Sequence, residues 1–419
     1  MVPPADPRRD QLALAIQKIV DQTPILDIHT HLYDPAFGPL LLWGIDDLLV
    51  YHYLVAEAFR YLDLPYDAFW RLTKEQQADR VWQVLFTQRS PLSEAARGVI
   101  TTLHRLGLDP RQRDLPALRR WFADWKPEDY VTRCLDLARV RAVCMTNSPF
   151  DDLERPTWER GFNRDPRFLT ALRIDPLLVG WPDASRQLAT AGYLTSSDLT
   201  QASFDGSQRF LHDWSQRIGA RYVMVSLPPS FAYPDPSVTS QLIEKVVLPF
   251  CRESGLPFAL MLGVKRAVNP ALALAGDGVG RSDLTALQNL CAAHPDVRFL
   301  ATVLSRENQQ ELCVIARKFR NLHVFGCWWF TNIPGIIEDM TRTRLELLGL
   351  GFTPQHSDAR VLDQVIYKWD HSRRIVAKVL TEKYLDLADA GWWPTHQEIQ
   401  RDVLALFGGA FETFCGPSR

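Results

Sequence analysis

The sequence lacks the segments that would mark a membrane protein, a nucleic-acid-binding protein or a disulfide scaffold. No apolar run is long enough for a transmembrane helix, and no N-terminal stretch has the pattern of a signal peptide. No basic block stands out, and the formal net charge of -2 argues against nucleic-acid or anionic-membrane partners. The seven cysteines are scattered and form no Cys-X-X-Cys pair, which is typical of reduced thiols in a cytoplasmic protein.

What the chain does have is enough apolar material for a large core. It contains 419 residues, of which 46% are hydrophobic and 23% charged, so disorder is excluded. Residues 1–23 predict an amphipathic N-terminal helix because their apolar side chains recur at helical spacing. We expect residues 24–419 to form a single barrel-type domain, since α/β barrels run from about 200 to more than 400 residues as one unit.

Eight short β-branched or apolar runs predict the strands of this domain. They are residues 25–32, 141–146, 168–174, 222–227, 257–262, 297–303, 322–325 and 352–358. Helical stretches alternate with these runs, which implies parallel pairing and a closed eight-stranded barrel. Residues 33–138 have helical periodicity and predict a large insertion over the end of the first strand. The expected fold is therefore α/β, a TIM-like (β/α)8 barrel with a helical insertion after strand 1.

A candidate metal site lies at the end of the first strand. His29 and His31 are two residues apart, so an extended backbone directs both imidazoles to one face. The eighth strand of a closed barrel lies beside the first, which places Asp358 next to the two histidines. Two imidazoles and one carboxylate suit a single zinc-like divalent ion with an open coordination position. His356 is a further candidate ligand, although Asp358 already supplies the eighth strand's contribution.

The other strand ends carry arginines and tryptophans that could line a substrate site. Chemistry in such barrels lies at the carboxyl ends of the strands, where this chain has Arg173, Arg266, Trp328, Trp329 and Arg360. The insertion adds an aromatic and basic cluster, formed by residues 51–53 and Arg60. Taken singly, each of these side chains could equally serve as a rim ion pair or as wall packing.

Taken together and in order, these stretches resemble the uronate isomerase (glucuronate isomerase) family of the amidohydrolase superfamily. The matching stretches are residues 24–32, 48–53 with Arg60, 144–153, 173–175, 326–330, 357–360 and 367–375. The resemblance thus spans nearly the whole chain. It departs from the family pattern at Tyr51, where the family usually has aspartate, and at Asn147 and Ser148, which replace two aspartates. Met261 replaces a histidine of the fifth strand.

The resemblance implies an aldose-ketose isomerase that moves a proton between C2 and C1 of a D-glucuronate- or D-galacturonate-class sugar acid. It implies one divalent ion, zinc, held by three ligands, together with a catalytic set and a substrate-binding set. The ligands are His29, His31 and Asp358; the catalytic residues are Asp358, Tyr53, His52 and Arg360; the substrate-binding residues are Arg173, Arg60, Trp328, Trp329 and Arg266.

Two other functions are compatible with these residues. A mononuclear zinc hydrolase on the same barrel would use Asp358 to take a proton from water that attacks an ester, lactone or amide. A catalytically silent sugar-acid-binding protein would keep the metal and lack the base. The sequence leaves homo-oligomer formation open, because apolar positions on outer helices serve a core and an interface equally well.

Overall fold

The computed structural model describes residues 7–416 of the chain. Residues 1–6 of the predicted N-terminal segment, and residues 417–419 of the predicted barrel domain, lie outside the described residues. The N-terminal helix α1 spans Pro7–Gln22 and buries Leu12, Ile16, Ile19 and Val20. These side chains recur every three or four residues, so they form one apolar stripe that packs against the rest of the chain.

Residues 7–416 contain ten strands, and eight of them form one parallel sheet. The strands are β1 Ile25–Thr30, β2 Val140–Asn147, β3 Phe168–Arg173, β4 Ala220–Leu227, β5 Phe258–Leu262, β6 Val264–Lys265, β7 Gly278–Val279, β8 Phe299–Val303, β9 Leu322–Phe325 and β10 Phe352–Thr353. The sheet order is β1-β2-β3-β4-β5-β8-β9-β10, while β6 and β7 form a separate antiparallel hairpin. Strands β1, β5, β8 and β9 are buried throughout, as expected for a sheet covered on both faces.

The sheet curls into a barrel, which confirms the predicted fold class. Backbone hydrogen bonds link the two ends of the sheet: the His31 N–H donates to the Ala359 carbonyl at 2.8 Å, and the Asp358 N–H donates to the His29 carbonyl at 3.2 Å. The predicted strand over residues 352–358 was too long, because regular pairing covers only Phe352–Thr353. Pro354 has no N–H for a ladder, and Asp358 has φ +53°, outside the extended region.

The segment between β1 and β2 is helical. Its helices are α2 Ile45–Leu49, α3 His52–Ala58, α4 Tyr66–Trp70, α5 Lys74–Trp82, α6 Glu94–Arg105, α7 Leu115–Ala123 and α8 Pro127–Ala138. Capping side chains begin several of them; Thr73, Ser93 and Asp114 each accept a hydrogen bond from a backbone N–H of the first turn. Helix α3 brings residues 52–58 close to the carboxyl ends of the strands, because His52 and Tyr53 contact Trp329 and Phe330.

The remaining helices surround the barrel and close its other end. They are α9 Arg155–Arg160, α10 Asp175–Val179, α11 Trp181–Thr190, α12 Gln201–Ile218, α13 Val238–Leu242, α14 Leu248–Ser254, α15 Thr285–Ala293, α16 Gln309–Ala316, α17 Pro334–Leu348, α18 Gln364–Asp389, α19 His396–Leu404 and α20 Ala410–Cys415. Gly408 approaches β1 so closely that a Cβ there would lie 2.6 Å from the Leu26 side chain. Within residues 7–416, no helix combines the length and the apolar character needed to cross a membrane.

Candidate active site

Three side chains at the carboxyl end of the barrel form a group that could hold one metal ion. The ligand atoms of His29, His31 and Asp358 all lie within 4.8 Å of one another. Each histidine Nε2 is 3.5 Å from Asp358 Oδ1. A tetrahedral ion with nitrogen and oxygen ligands at about 2.1 Å separates its ligand atoms by about 3.4 Å, which the two 3.5 Å distances match.

Two hydroxyl groups fix the tautomers of the two histidines. Thr146 Oγ1 donates to the Thr30 carbonyl at 3.1 Å, so at 2.8 Å it accepts the Nδ1 proton of His31. In the same way the Tyr222 hydroxyl donates to the Ile28 carbonyl at 2.8 Å and faces His29 Nδ1 at 3.3 Å. With Nδ1 protonated, the Nε2 lone pair of each ring is directed toward Asp358 and is free to bind a metal.

The neutral charge state of His31 favours metal binding as well. Burial, and then the positive charge of Arg360, keep the pKa of His31 well below its ordinary value, so the ring is neutral near pH 7. Among residues 7–416, His29 Nε2 and Asp358 Oδ1 are buried polar atoms without a hydrogen-bond partner. Since buried polar atoms are normally paired, the residues present fit a divalent cation at this point.

The backbone around Asp358 is held in an uncommon conformation. Its φ of +53° lies in the left-handed region, which aspartate tolerates better than most residues. Asp27 fixes the preceding residue, because its carboxylate accepts the Ser357 N–H at 3.0 Å and the Trp369 indole N–H at 2.8 Å. Because Asp27 belongs to β1, these bonds connect that strand to Ser357, the residue before the third ligand.

His356 lies next to the three-residue group but is not part of it. Its ring centroid is 5.0 Å from that of His29, and neither of its ring nitrogens has a hydrogen-bond partner in the described chain. The ring rests on Gly326, where a Cβ would lie 1.7 Å from His356 Nδ1, so only glycine fits there. Burial lowers the pKa of His356 well below its ordinary value, which keeps the ring neutral.

One pocket opens above the metal group and gathers most of the predicted site residues. Its lining comprises His29, His31, Tyr51, His52, Arg173, Met224, Ser226, Met261, Arg266, Leu274, Asp277, Trp328, Trp329, Asp358 and Arg360. Beside the two ligand atoms named above, His52 Nε2, Trp329 Nε1 and Arg360 Nε are also buried and have no partner within residues 7–416. Five side chains around one pocket thus have an unpaired polar atom, which suits a metal ion together with a polar ligand. Trp329 has φ +46°, so the backbone is strained here too.

The charged groups of the pocket are partly compensated. Arg173 donates two hydrogen bonds of 3.0 Å to Asp175. Burial lowers the pKa of Arg173, but the charge and hydrogen bonds of Asp175 outweigh it and raise the pKa overall. Arg266 pairs with Asp277 at 2.5 Å across the β6–β7 hairpin. Burial, and then Arg360, lower the pKa of His52 to about 3, so His52 is neutral at physiological pH.

Two predicted site residues do not line the pocket. Tyr53 is partly exposed, and its ring centroid is 4.6 Å from that of His52 and 4.9 Å from that of Tyr51, both of which line the pocket. Arg60 follows helix α3 and is exposed. Met224, Leu274 and Asp277 also line the pocket, and none of them was predicted as a site residue. A pattern that could have indicated Asp277 is its distance of only eleven residues from Arg266 in a loop after the fifth strand.

One of the two departures at the end of β2, Asn147, has a local explanation, whereas the structure does not explain Ser148, which contributes only its backbone N–H. Glu154 is buried and accepts hydrogen bonds from Asn147 Nδ2 at 2.7 Å, the Ser148 N–H at 3.0 Å and the Tyr33 hydroxyl at 3.1 Å. Burial raises the pKa of Glu154. An aspartate at position 147 would face this carboxylate instead of donating to it, so the amide suits the network.

Several solved structures of other proteins are similar to this chain. No protein-family model and no curated protein matched the chain. The crystal structure of a uronate isomerase from Bacillus halodurans C-125 matches with 50% identity over 97% of both chains and a TM-score of 0.96. A uronate isomerase from Thermotoga maritima matches at 15% identity over 97% of both chains, with a TM-score of 0.79. A glucuronate isomerase from Caulobacter crescentus matches at 16% identity over 99% of this chain and 98% of its own, with a TM-score of 0.75; these last two relatives support the fold alone.

Proposed function

Because the chain belongs to the uronate isomerase family, we propose that it interconverts an aldose uronate of the D-glucuronate or D-galacturonate class and the corresponding ketose. This is an intramolecular oxidoreductase reaction, in which a proton moves between C2 and C1. The substrate is an open-chain sugar acid, which carries one carboxylate and several hydroxyl groups.

The observation that supports this function is the set of unpartnered polar atoms around the pocket. His52 Nε2, Trp329 Nε1 and Arg360 Nε belong to side chains that line the pocket beside the metal group, and none of the three has a hydrogen-bond partner within residues 7–416. A sugar acid offers both an anion and hydroxyl groups, and these atoms include donors and acceptors that suit both. Arg360 supplies the positive charge that a carboxylate requires, and Arg173 adds to it through the part of its guanidinium that does not donate to Asp175.

We propose that His29, His31 and Asp358 hold one zinc ion. When bound, the ion would supply positive charge that orients substrate oxygens and stabilises negative charge on them. The nitrogen-rich ligand set favours zinc over the oxygen-preferring magnesium and calcium ions.

The proposed proton transfers use side chains around the same pocket. Neutral His52 has a free Nε2 that can hydrogen-bond to a substrate hydroxyl, and its lowered pKa makes it a poor proton acceptor at neutral pH. Asp358 offers a carboxylate beside it, and Arg360 stabilises negative charge that develops on a carbonyl oxygen. Burial raises the pKa of Tyr53 well above its ordinary value, so its hydroxyl takes part as a proton donor rather than as a base.

The proposed substrate-binding set keeps Arg173, Arg266, Trp328 and Trp329, all of which line the pocket. Exposed Arg60 would reach the substrate only from the insertion side. The seven cysteines are all free and buried, which supports our proposal of a cytoplasmic enzyme, where thiols stay reduced. Assembly into a homo-oligomer remains a prediction from the sequence.

The test is a product assay on the zinc-loaded protein. We expect D-glucuronate or D-galacturonate to give the corresponding ketose, detected by its NMR signals, and we expect a His29→Ala, His31→Ala variant to give none. Asp358→Asn should abolish turnover as well. A folded, metal-loaded wild-type protein that forms no ketose but hydrolyses an ester or lactone panel would replace this function with the hydrolase alternative.

A further inference from the structure

The backbone that leads into Asp358 is not held by regular sheet pairing. That pairing ends with β10, so the peptide groups of residues 354–358 need other hydrogen-bond partners. The Ser357 N–H donates to Asp27 Oδ1 at 3.0 Å, and the Asp358 N–H donates to the His29 carbonyl at 3.2 Å. These bonds pair two N–H groups of the segment, and its carbonyl groups need partners of their own.

One side chain, Asn332, donates to two of these carbonyl groups. Its Nδ2 lies 3.2 Å from the His356 carbonyl oxygen and 3.1 Å from that of Ser357. Because both partners are carbonyl oxygens, the end of the amide that faces them is the NH2 group, and the two bonds use both of its protons. Asn332 is buried, so the bonds form away from solvent. It thus gives this segment the hydrogen bonds that the sheet does not provide.

Asn332 is itself fixed by its backbone and by the other end of its amide. Gln355 Nε2 donates to Asn332 Oδ1 at 2.8 Å, and Gln355 Oε1 accepts the Cys327 N–H at 2.9 Å. The Asn332 N–H donates to the carbonyl of the pocket residue Trp329 at 2.9 Å. Lys368 Nζ donates to the Asn332 carbonyl at 3.4 Å. These contacts hold the Asn332 NH2 group in place beside the metal-binding segment.

The position of this NH2 group controls the orientation of one peptide. The Ser357 carbonyl and the Asp358 N–H belong to the same peptide group, which is bonded to Asn332 on one side and to His29 on the other. Rotation of that group would take Asp358 from its φ of +53° toward the negative φ that most residues prefer. The rotation would also break both bonds. Asn332 therefore opposes a rotation that would move the third metal ligand.

We propose that Asn332 is a positioning residue of the metal site, which acts through the Ser357–Asp358 peptide. Asn332 is not part of the pocket lining, so it affects metal binding through the backbone that it holds. The inference rests on the metal site of the proposed function and is independent of which reaction the enzyme catalyses.

The test compares two buried asparagines at opposite ends of β9. Asn332→Asp keeps the shape of the side chain and the acceptor for Gln355, but it places a carboxylate oxygen against two carbonyl oxygens. The matched control is Asn321→Asp. Asn321 directly precedes β9 and donates to three backbone carbonyl groups at 3.2, 3.0 and 3.1 Å, away from the pocket. Both changes should lower the melting temperature.

Only the change beside the metal group should alter metal binding. We expect Asn332→Asp to raise the zinc Kd about 10- to 100-fold, measured by competition with a chromophoric chelator, and Asn321→Asp to stay within about twofold of wild type. The visible absorption bands of cobalt(II)-loaded protein depend on coordination geometry, so they should change in Asn332→Asp and not in Asn321→Asp. If Asn332→Asp does not fold, Asn332→Ala, which removes the donor without adding charge, should raise the zinc Kd about 10-fold.

A second background separates positioning of Asp358 from a general loss of stability. In Asp358→Ala protein the third ligand is absent, so adding Asn332→Asp should change the zinc Kd by less than about twofold. An unchanged zinc Kd in the folded Asn332 variant, an equal loss in both backgrounds, or an equal loss in Asn321→Asp would overturn the inference alone. A wild-type zinc Kd that His29→Ala, His31→Ala does not change would overturn the proposed metal site and the inference with it.

Discussion

Replacement of Thr146 by valine should weaken metal binding without unfolding the protein. Thr146 Oγ1 accepts a hydrogen bond from His31 Nδ1 at 2.8 Å and donates one to the Thr30 carbonyl at 3.1 Å. Valine has nearly the same shape but no acceptor. In the metal-free variant the His31 proton can move to Nε2, which avoids the cost of a buried N–H without an acceptor. Metal binding forces it back to Nδ1, where it is buried and unpaired.

The expected loss follows from this cost of an unpaired proton. An unsatisfied buried donor costs about 1–3 kcal/mol, and loss of a hydrogen-bond partner behind a ligating histidine typically costs 10- to 100-fold in metal affinity. We therefore expect the Kd for zinc, measured by competition with a chromophoric chelator, to rise about 10- to 100-fold. Thr146→Ser should restore it.

The matched control is Thr170→Val. Thr170 is buried like Thr146, but its hydroxyl donates to the Ile218 and Gly219 carbonyls, beside the start of β4. This variant should bind zinc as wild type does. A zinc Kd for Thr146→Val within twofold of wild type, in folded protein, would refute the proposed tautomer control.

Three further predictions concern buried charges. Lys368→Met should lower the free energy of unfolding by about 3–5 kcal/mol in urea titrations, because it leaves the Glu94 carboxylate buried and unpaired. Adding Glu94→Leu should recover most of this loss. Equal stability of the single and double variants would contradict the prediction. Burial raises the pKa of Asp363 to about 6, above the unfolded value of 3.8, so its stabilising contribution is complete below pH 3.8 and is lost as the pH rises through 6. Asp363→Asn should therefore reduce the stability difference between pH 5.0 and pH 7.5 by about 1.4 kcal/mol, and an unchanged difference would count against a raised pKa. Because the pKa of His52 is lowered to about 3, kcat/KM of metal-saturated enzyme should show no limb from His52 between pH 5.5 and pH 8, and a limb near pH 6.5 that His52→Gln removes would show that His52 titrates there.

The metal group could be predicted from the sequence because two simple geometric rules define it. The alternation of side chains along a strand brings His29 and His31 to one face, and closure of an eight-stranded barrel brings Asp358 beside them. The fold class was confirmed, and so was the resemblance to uronate isomerases. The last strand was predicted too long, because strand propensity does not register the left-handed φ of Asp358.

The groups that orient the ligands could not be predicted. Tyr222 reaches His29 across the barrel from β4, a contact between residues 193 positions apart that no local spacing indicates. The insertion presents a related problem, because adjacent helical residues point about 100° apart and a small change at the start of α3 decides which of them face the pocket. The prediction of Tyr53 rested on the family resemblance rather than on such geometry, and Tyr51 lines the pocket.

The measurement that tests the central proposal most directly is a proton NMR time course of zinc-loaded protein with D-glucuronate, and then D-galacturonate, in heavy water. We predict ketose signals together with deuterium at C1 or C2, and loss of both in Asp358→Asn. Ketose formation or exchange that persists in Asp358→Asn would contradict the assigned site, and a wild-type spectrum that does not change with time would contradict the assigned reaction.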